Sequence, residues 1–185
     1  DDGALARSSP VNGIFIIAEL DGPVAERVRA WQEQFDIKLA REAPPHVTML
    51  GSSGVGPIAP DTPVDALQRL LAPIAASTAP LTLQFGPPVR FLQREIVVLP
   101  LDPHGPVRTL HERLATSGVR CAQARYPFTP HCTLSFYPTI TPESLRRMLA
   151  VREPEPFTLH TLRVYHTRDP QPPTRLFDLR LTGPS

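Results

Sequence analysis

Cysteine is scarce in this chain: Cys121 and Cys132 are the only two in 185 residues. Two are too few for a disulfide scaffold, and a reducing, cytoplasmic setting is the expectation. No stretch approaches the roughly 18 consecutive apolar residues of a membrane span, so no membrane partner is expected. An excess of one charge is also missing, since 19 Lys+Arg against 18 Asp+Glu leave a net +1. That balance excludes the broad cationic footprint of a protein that coats duplexes, but not a grip on a single phosphate. Lysine is nearly absent, with Lys38 alone among the basic residues; the arginines that replace it suit bidentate contacts to phosphate. There is no H-x-x-x-H or CxxC pair to start a zinc site. The Gly-rich stretch Gly51-Ser52-Ser53-Gly54-Val55-Gly56 lacks the lysine of a P-loop and reads as a mobile rim loop. No metal and no cofactor are expected.

Proline, by contrast, is abundant, at 24 residues. It is spread between apolar runs, which points to many short elements and not to a helical bundle or a disordered tract. The first 13 residues are small, polar and aperiodic, and are read as a flexible terminus. From there a repeating order of elements runs to the end. Ile14-Phe15-Ile16-Ile17-Ala18-Glu19-Leu20 is a buried strand, and Gly22-Pro23 opens a helix whose inward face is Val24, Val28, Trp31 and Phe35. A strand over His46 to Leu50 follows. Thr62-Pro63 then caps a helix carrying Leu67, Leu70, Leu71 and Ile74, and Pro80 to Phe85 is the next strand.

The second half repeats these signposts about 80 residues later. Glu95 to Asp102 is a strand, Gly105-Pro106 opens a helix along Val107, Leu110 and Leu114, and Thr129 to Leu134 matches the strand at His46. Thr141-Pro142 starts a helix with Leu145, Met148 and Leu149 inward, Pro156-Phe157-Thr158-Leu159 echoes Pro80-Leu81-Thr82-Leu83, and Arg175 to Leu181 closes the fold as a strand. The expected architecture is an α+β fold in two duplicated lobes, 14–94 and 95–181, forming a single domain over 14–185. A pseudo-twofold relates the lobes, antiparallel sheets line a central cleft, and helices lie outside.

The chemistry sits on the repeated Pro-His-x-Thr strands. With 6 His, 15 Thr and 24 Pro in the chain, chance predicts roughly 0.06 such matches; two occur, at equivalent points of the repeat. Side chains alternate along a strand, so His46 and Thr48 share one face and Val47 and Met49 the other. His131, Thr133 and Ser135 likewise share a face opposite Cys132, Leu134 and Phe136. Two imidazoles across a cleft can remove one proton and deliver another near neutral pH, while the threonine hydroxyls donate to oxygens that gain charge. That set fits an in-line displacement at phosphorus. His104, His111, His160 and His166 lack this context, and His166-Thr167 is read as a surface pair.

At these residues the chain resembles the two-histidine (2H) phosphoesterase superfamily, in particular its bacterial and archaeal RNA 2′,3′-cyclic phosphodiesterases, also called 2′-5′ RNA ligases. The resemblance runs from Ile14 to Leu181 and is strongest over Tyr126-Pro127-Phe128-Thr129-Pro130-His131-Cys132-Thr133-Leu134. It implies His46 and His131 as the catalytic pair, with Thr48 and Thr133 as phosphate-contacting hydroxyls. The implied reaction opens a 2′,3′-cyclic phosphate on an RNA end or a small cyclic nucleotide, leaving a 2′-phosphate, with 2′-5′ joining in some members. A monomer is expected. Phe15, Tyr126 and Phe128 are candidate base-stacking residues.

Two departures bear on this. Gly51 follows Leu50 directly where the family's first strand often runs longer, and Phe136 stands where an arginine often follows the second motif. Arg125, Arg41 and Arg94 are the candidates to supply that cation. A nucleotide-binding module without turnover, and a phosphodiesterase for another cyclic phosphate such as that of ADP-ribose, remain the alternatives.

Overall fold

The computed structural model describes residues 12–91, 95–137 and 140–185. Most of the N-terminal segment read as flexible therefore lies outside the described residues, although Gly13 already belongs to the first strand. In chain order the elements are β1 (Gly13–Glu19), α1 (Gly22–Phe35), α2 (Ile37–Glu42), β2 (His46–Leu50), β3 (Val55–Ile58), α3 (Val64–Ala76), β4 (Leu81–Leu83) and β5 (Val89–Arg90). Then come β6 (Val97–Pro100), α4 (Pro106–Ala115), β7 (Cys121–Gln123), β8 (His131–Ser135), α5 (Pro142–Leu149), β9 (Phe157–Leu159), β10 (Thr161–Arg168) and β11 (Gln171–Arg180).

All strand pairs are antiparallel. One sheet runs β11-β10-β1-β3-β7 with β2 also paired to β1, a second runs β5-β6-β8, and β4 pairs with β9 alone. The α+β architecture is as expected, and the registers make the duplication explicit. On β1 and β2, Glu19 faces His46 and Ile17 faces Thr48, after which the register slips so that Ile16 faces Leu50. On β6 and β8, Pro100 faces His131 and Val98 faces Thr133, and the same slip puts Val97 opposite Ser135. Each motif strand therefore carries a bulge one residue past its threonine, at Met49 and at Leu134. The bonds entering the strands repeat as well, Leu20 N to Pro45 O at 2.9 Å and Leu101 N to Pro130 O at 3.0 Å. The two halves meet on themselves in β4 and β9, where Leu81 faces Leu159, Leu83 faces Phe157, and Thr82 faces its own counterpart Thr158. That pair marks the pseudo-twofold axis.

The lobes do not divide the chain at residue 94, however. β10 and β11, from the end of the chain, complete the first sheet beside β1, while β5, from the first half, completes the second sheet beside β6. The helices cross over too: α1 packs on β8 and α4 packs on β2. Each half thus covers the other's motif strand, a dependence that linear signposts do not reveal.

The core lies under these strands. Ile14, Ile16 and Ala18 of β1, Val47 and Met49 of β2, and Cys132 and Leu134 of β8 are buried, joined by Leu67, Leu71, Leu110, Leu114 and Met148 from the helices. Each such large aliphatic side chain contributes about 1.5–3 kcal/mol by leaving water. Pro23, Pro106 and Pro142 occupy first-turn positions as expected, and Thr141 forms a capping box with Ser144. Thr62 does not cap α3: Pro63 is the N-cap, and the Thr62 hydroxyl donates to Ala59 O instead. Leu149 is 36% exposed, because α5 ends there and only Met148 on its apolar side is fully covered. The segment read as a mobile rim loop is packed. Gly51 lies against the Phe15 ring, Gly54 N donates to Tyr126 O at 2.9 Å, and Val55 to Ile58 form β3 against β7.

Candidate active site

β2 and β8 lie side by side at the junction of the two sheets. Their burial patterns are identical, with His and Thr half-buried on one face and the alternate residues buried on the other. This is the alternation expected from the sequence: Val47 and Met49, and Cys132 and Leu134, anchor the strands while both imidazoles and both hydroxyls share an accessible face. The Cys132 thiol, on the buried side, is pushed up to about 12 by burial, against the opposing effect of the His46 backbone amide that faces it. It is a packing residue with no access to the site.

The two imidazoles are oriented by the same device. His46 Nδ1 lies 2.8 Å from Pro44 O, and His131 Nδ1 lies 2.6 Å from Thr129 O. A carbonyl only accepts, so each Nδ1 carries the proton and donates it, leaving each Nε2 as the nitrogen available for chemistry. Their surroundings then differ. Phe91 packs edge-on against the His131 ring, with centroids 4.9 Å apart. Burial holds His131 below the usual imidazole range; the bond to Thr129 opposes this, and the nearby His46 adds to it. That burial favours the neutral form of His131.

Buried polar side chains hold the motif strands from the opposite half. Gln32 on α1 donates from Nε2 to Thr133 O at 2.8 Å. His111 on α4 contacts Met49 O through Nδ1 at 2.7 Å, so Nδ1 is again the donor. One carbonyl belongs to the bulge residue Met49 and the other to Thr133, the residue before the bulge at Leu134. Asp36, 3% exposed, accepts from Phe136 N at 2.8 Å and Tyr137 N at 2.9 Å just beyond β8, and from Leu39 N at 3.1 Å. None of Gln32, Asp36 or His111 was singled out in the sequence; a polar residue at an inward helical position, as Gln32 is beside Val28, was the one available signal.

Of the aromatic candidates, Tyr126 is 47% exposed and stands beside the entry to β8. Phe15 and Phe128 are buried, which corrects their reading as open stacking faces. Phe15 stacks on Tyr165 at 5.5 Å under Gly51, and Phe128 stacks on His111 at 3.9 Å. The latter pair also places His111 in the core. His166 is buried as well, on the side of β10 that carries Leu162 and Val164, so it is not a surface histidine. Arg125 is exposed next to Tyr126, Arg41 is exposed in the last turn of α2, and Arg94 lies outside the described residues. The cleft face of the first sheet carries a cation that the sequence did not suggest. Arg163, in register with Ile17, reaches Glu19 at 2.6 Å and Asp178 at 3.2 Å, and so balances the carboxylate opposite His46. Among the described residues, no three His, Cys, Asp or Glu side chains gather where they could hold a metal ion. No described helix is long and apolar enough to cross a membrane.

A duplicated antiparallel α+β fold with a His-x-Thr strand in each half is that of the two-histidine phosphoesterases. The profile of the 2′-5′ RNA ligase superfamily matches residues 20–171, and the chain belongs to that superfamily. Among solved structures, TT0787 of Thermus thermophilus superposes with a TM-score of 0.67 at 19% identity, over 93% of this chain and 99% of that one. E. coli LigT complexed with NADP+ gives 0.54 at 19% identity, over 94% and 99%. LigT complexed with 3′-AMP gives 0.56 at 17% identity, over 93% and 99%. At these identities the likeness speaks to the fold. The chain has no match among curated proteins.

Proposed function

We propose that the protein hydrolyses 2′,3′-cyclic phosphates of RNA ends or nucleotides to 2′-phosphates, with His46 and His131 as the acid–base pair and no metal ion. The observation that carries this reading is the pair of fixed Nδ1–H tautomers, which leaves two Nε2 atoms and two threonine hydroxyls on one accessible face. Neutral His131 takes a proton from water as the water oxygen attacks phosphorus. The bond from phosphorus to the ribose 3′-oxygen breaks, and His46, protonated on Nε2, delivers its proton to that oxygen. Thr48 and Thr133 donate hydrogen bonds to the non-bridging oxygens as these gain charge. The held tautomers supply orientation before the reaction, where a large share of such a barrier is removed. A ribose 5′-hydroxyl in place of water turns the same displacement into 2′-5′ joining, the activity for which the superfamily is named. The nucleotide 3′-AMP in a LigT structure supports a nucleotide ligand in this cleft.

Phosphorus NMR of a 2′,3′-cyclic nucleotide incubated with the protein in EDTA tests the proposal. A 2′-phosphate signal is expected from the wild type, with a loss of about 10²–10⁴-fold in rate for His46→Ala and for His131→Ala. Full activity in either variant would falsify the two-histidine mechanism. Phe136, in place of an arginine, favours a second reading, a binding module without turnover; that reading predicts bound nucleotide and no new phosphorus signal.

A further inference from the structure

The two motif histidines share one orienting bond, but the carbonyls that accept it are held in different ways. For His46 the acceptor is the carbonyl of Pro44, which is followed by Pro45. A proline ring fixes φ, and there is no N–H to satisfy, so that carbonyl's direction is largely set by covalent structure. For His131 the acceptor belongs to Thr129, which likewise precedes a proline, Pro130, but whose φ is not fixed by a ring and whose N–H needs a partner. The partner comes from the other half of the chain: Thr129 N donates to Ser53 Oγ at 2.9 Å. The Thr129 hydroxyl is engaged elsewhere, donating to Pro127 O at 2.8 Å.

We infer that Ser53 is a positioning residue for His131, holding the Phe128–Thr129 peptide and with it the φ of Thr129, so that the Thr129 carbonyl fixes the Nδ1–H tautomer and aims Nε2 at the substrate phosphate. The inference rests on the reading of His131 as one of the catalytic pair. It also gives the Gly51 to Gly56 segment a purpose other than cradling phosphate. Ser53 and Gly54 are zipped to Tyr126 and Thr129 by two bonds, and Gly54 N to Tyr126 O at 2.9 Å stays when the Ser53 hydroxyl is removed. Loss of that hydroxyl therefore releases one peptide without undocking the loop.

His131 is a sensitive reporter. Its bond to Thr129 works against the burial that depresses its titration, and the titratable group that acts on it is His46 on β2. Its ring neighbour Phe91 and its ladder partner Pro100 carry no charge. Loosening Thr129 should weaken the bond from Nδ1 to its carbonyl, move the His131 titration to lower pH and mix its tautomers.

The test is side-chain nitrogen NMR of the histidines in the wild type, Ser53→Ala and Ser53→Thr, beside cyclic-nucleotide turnover as a function of pH. Ser53→Ala is expected to lose the single Nδ1–H tautomer at His131, to shift its titration and the acidic limb of kcat/KM downward, and to lower kcat by up to about 100-fold. Ser53→Thr keeps the hydroxyl and should keep the tautomer. An unchanged His131 tautomer and titration in Ser53→Ala overturns the inference, as does an equal loss in both variants. The NMR outcome does not depend on turnover. A tautomer lost in Ser53→Ala, with no hydrolysis by the wild type, would therefore leave the positioning intact and refute the function proposed above.

Discussion

Asp36 does two jobs with its carboxylate and a third with its backbone N–H, and removal of the carboxylate should be costly in a graded way. It closes α1, with its own N–H on Gln32 O at 2.7 Å, and caps α2 through Leu39 N. It also anchors the chain leaving β8 through the amides of Phe136 and Tyr137. Loss of an N-terminal cap costs about 1 kcal/mol. Two partly buried amides that lose a charged acceptor cost about 1–1.5 kcal/mol each, with water recovering part of the bonding. Asp36→Ala should therefore destabilise the protein by about 3–4 kcal/mol, a large share of the 5–15 kcal/mol typical of a domain. Asp36→Asn keeps one carbonyl oxygen, which serves best when turned to Phe136 and Tyr137, and its amino group then faces Leu39 N; about 1–2 kcal/mol is expected. Urea unfolding followed by circular dichroism measures both values. A loss below about 1 kcal/mol for Asp36→Ala, or equal losses for the two variants, would refute the view that this carboxylate ties the end of β8 to α1.

Two further outcomes follow from local geometry. Gly22 and Gly54 both have positive φ, at 65° and 79°. An added Cβ meets nothing within 4 Å at Gly22 but falls 2.2 Å from His111 Nε2 at Gly54. Gly22→Ala should then cost about 1–2 kcal/mol from backbone strain alone, and Gly54→Ala clearly more, since His111 is pinned to Met49 O; equal melting temperatures for the two would contradict this. His111, His131 and His166 are all held below their ordinary value, chiefly by burial. Their unfolded forms take up protons first as the pH falls through about 6.5, so stability present at pH 7 should decline toward pH 5. The Glu153 carboxyl, held low by Arg27, adds its own loss only below the ordinary carboxylate range. A melting temperature that is flat or rising from pH 7 to pH 5 would show that these imidazoles are not buried as described.

What could be read in the sequence was whatever is encoded locally. Alternation set the face of His46, Thr48, His131 and Thr133, because a buried strand flank forces Val, Met, Cys and Leu to the other side. Proline at helix starts and the Thr141 cap were equally local. What escaped depends on partners far along the chain. Val55-Gly56-Pro57-Ile58 has poor strand propensity, yet it pairs with β7, where the Gly56 backbone comes so close that a Cβ would sit 3.0 Å from Ala122 O. Phe128 looked like an open ring because nothing nearby in sequence announces His111 as its cover. Gln32 lies inside a helical pattern and Asp36 just after it, and only the Thr133 carbonyl and the Phe136 and Tyr137 amides, about a hundred residues away, explain their burial.

Duplication explains why the site is nearly symmetric, and the departures from symmetry explain how it could do acid–base chemistry. Two copies of one strand, each with its bulge and its upstream carbonyl, deliver two imidazoles in the same tautomer to one face. Identical environments would give them identical proton affinities, which suits neither an acid nor a base. The fold removes that degeneracy from one side. His131 is covered by Phe91 and depressed by burial, whereas the ladder partner of His46 is a carboxylate, Glu19, and the ladder partner of His131 is Pro100. Burial beside an apolar ring favours a neutral imidazole, and that environment belongs to His131 alone of the pair. The ladder partners, Glu19 in one half and Pro100 in the other, are one position where the two halves of the chain no longer match.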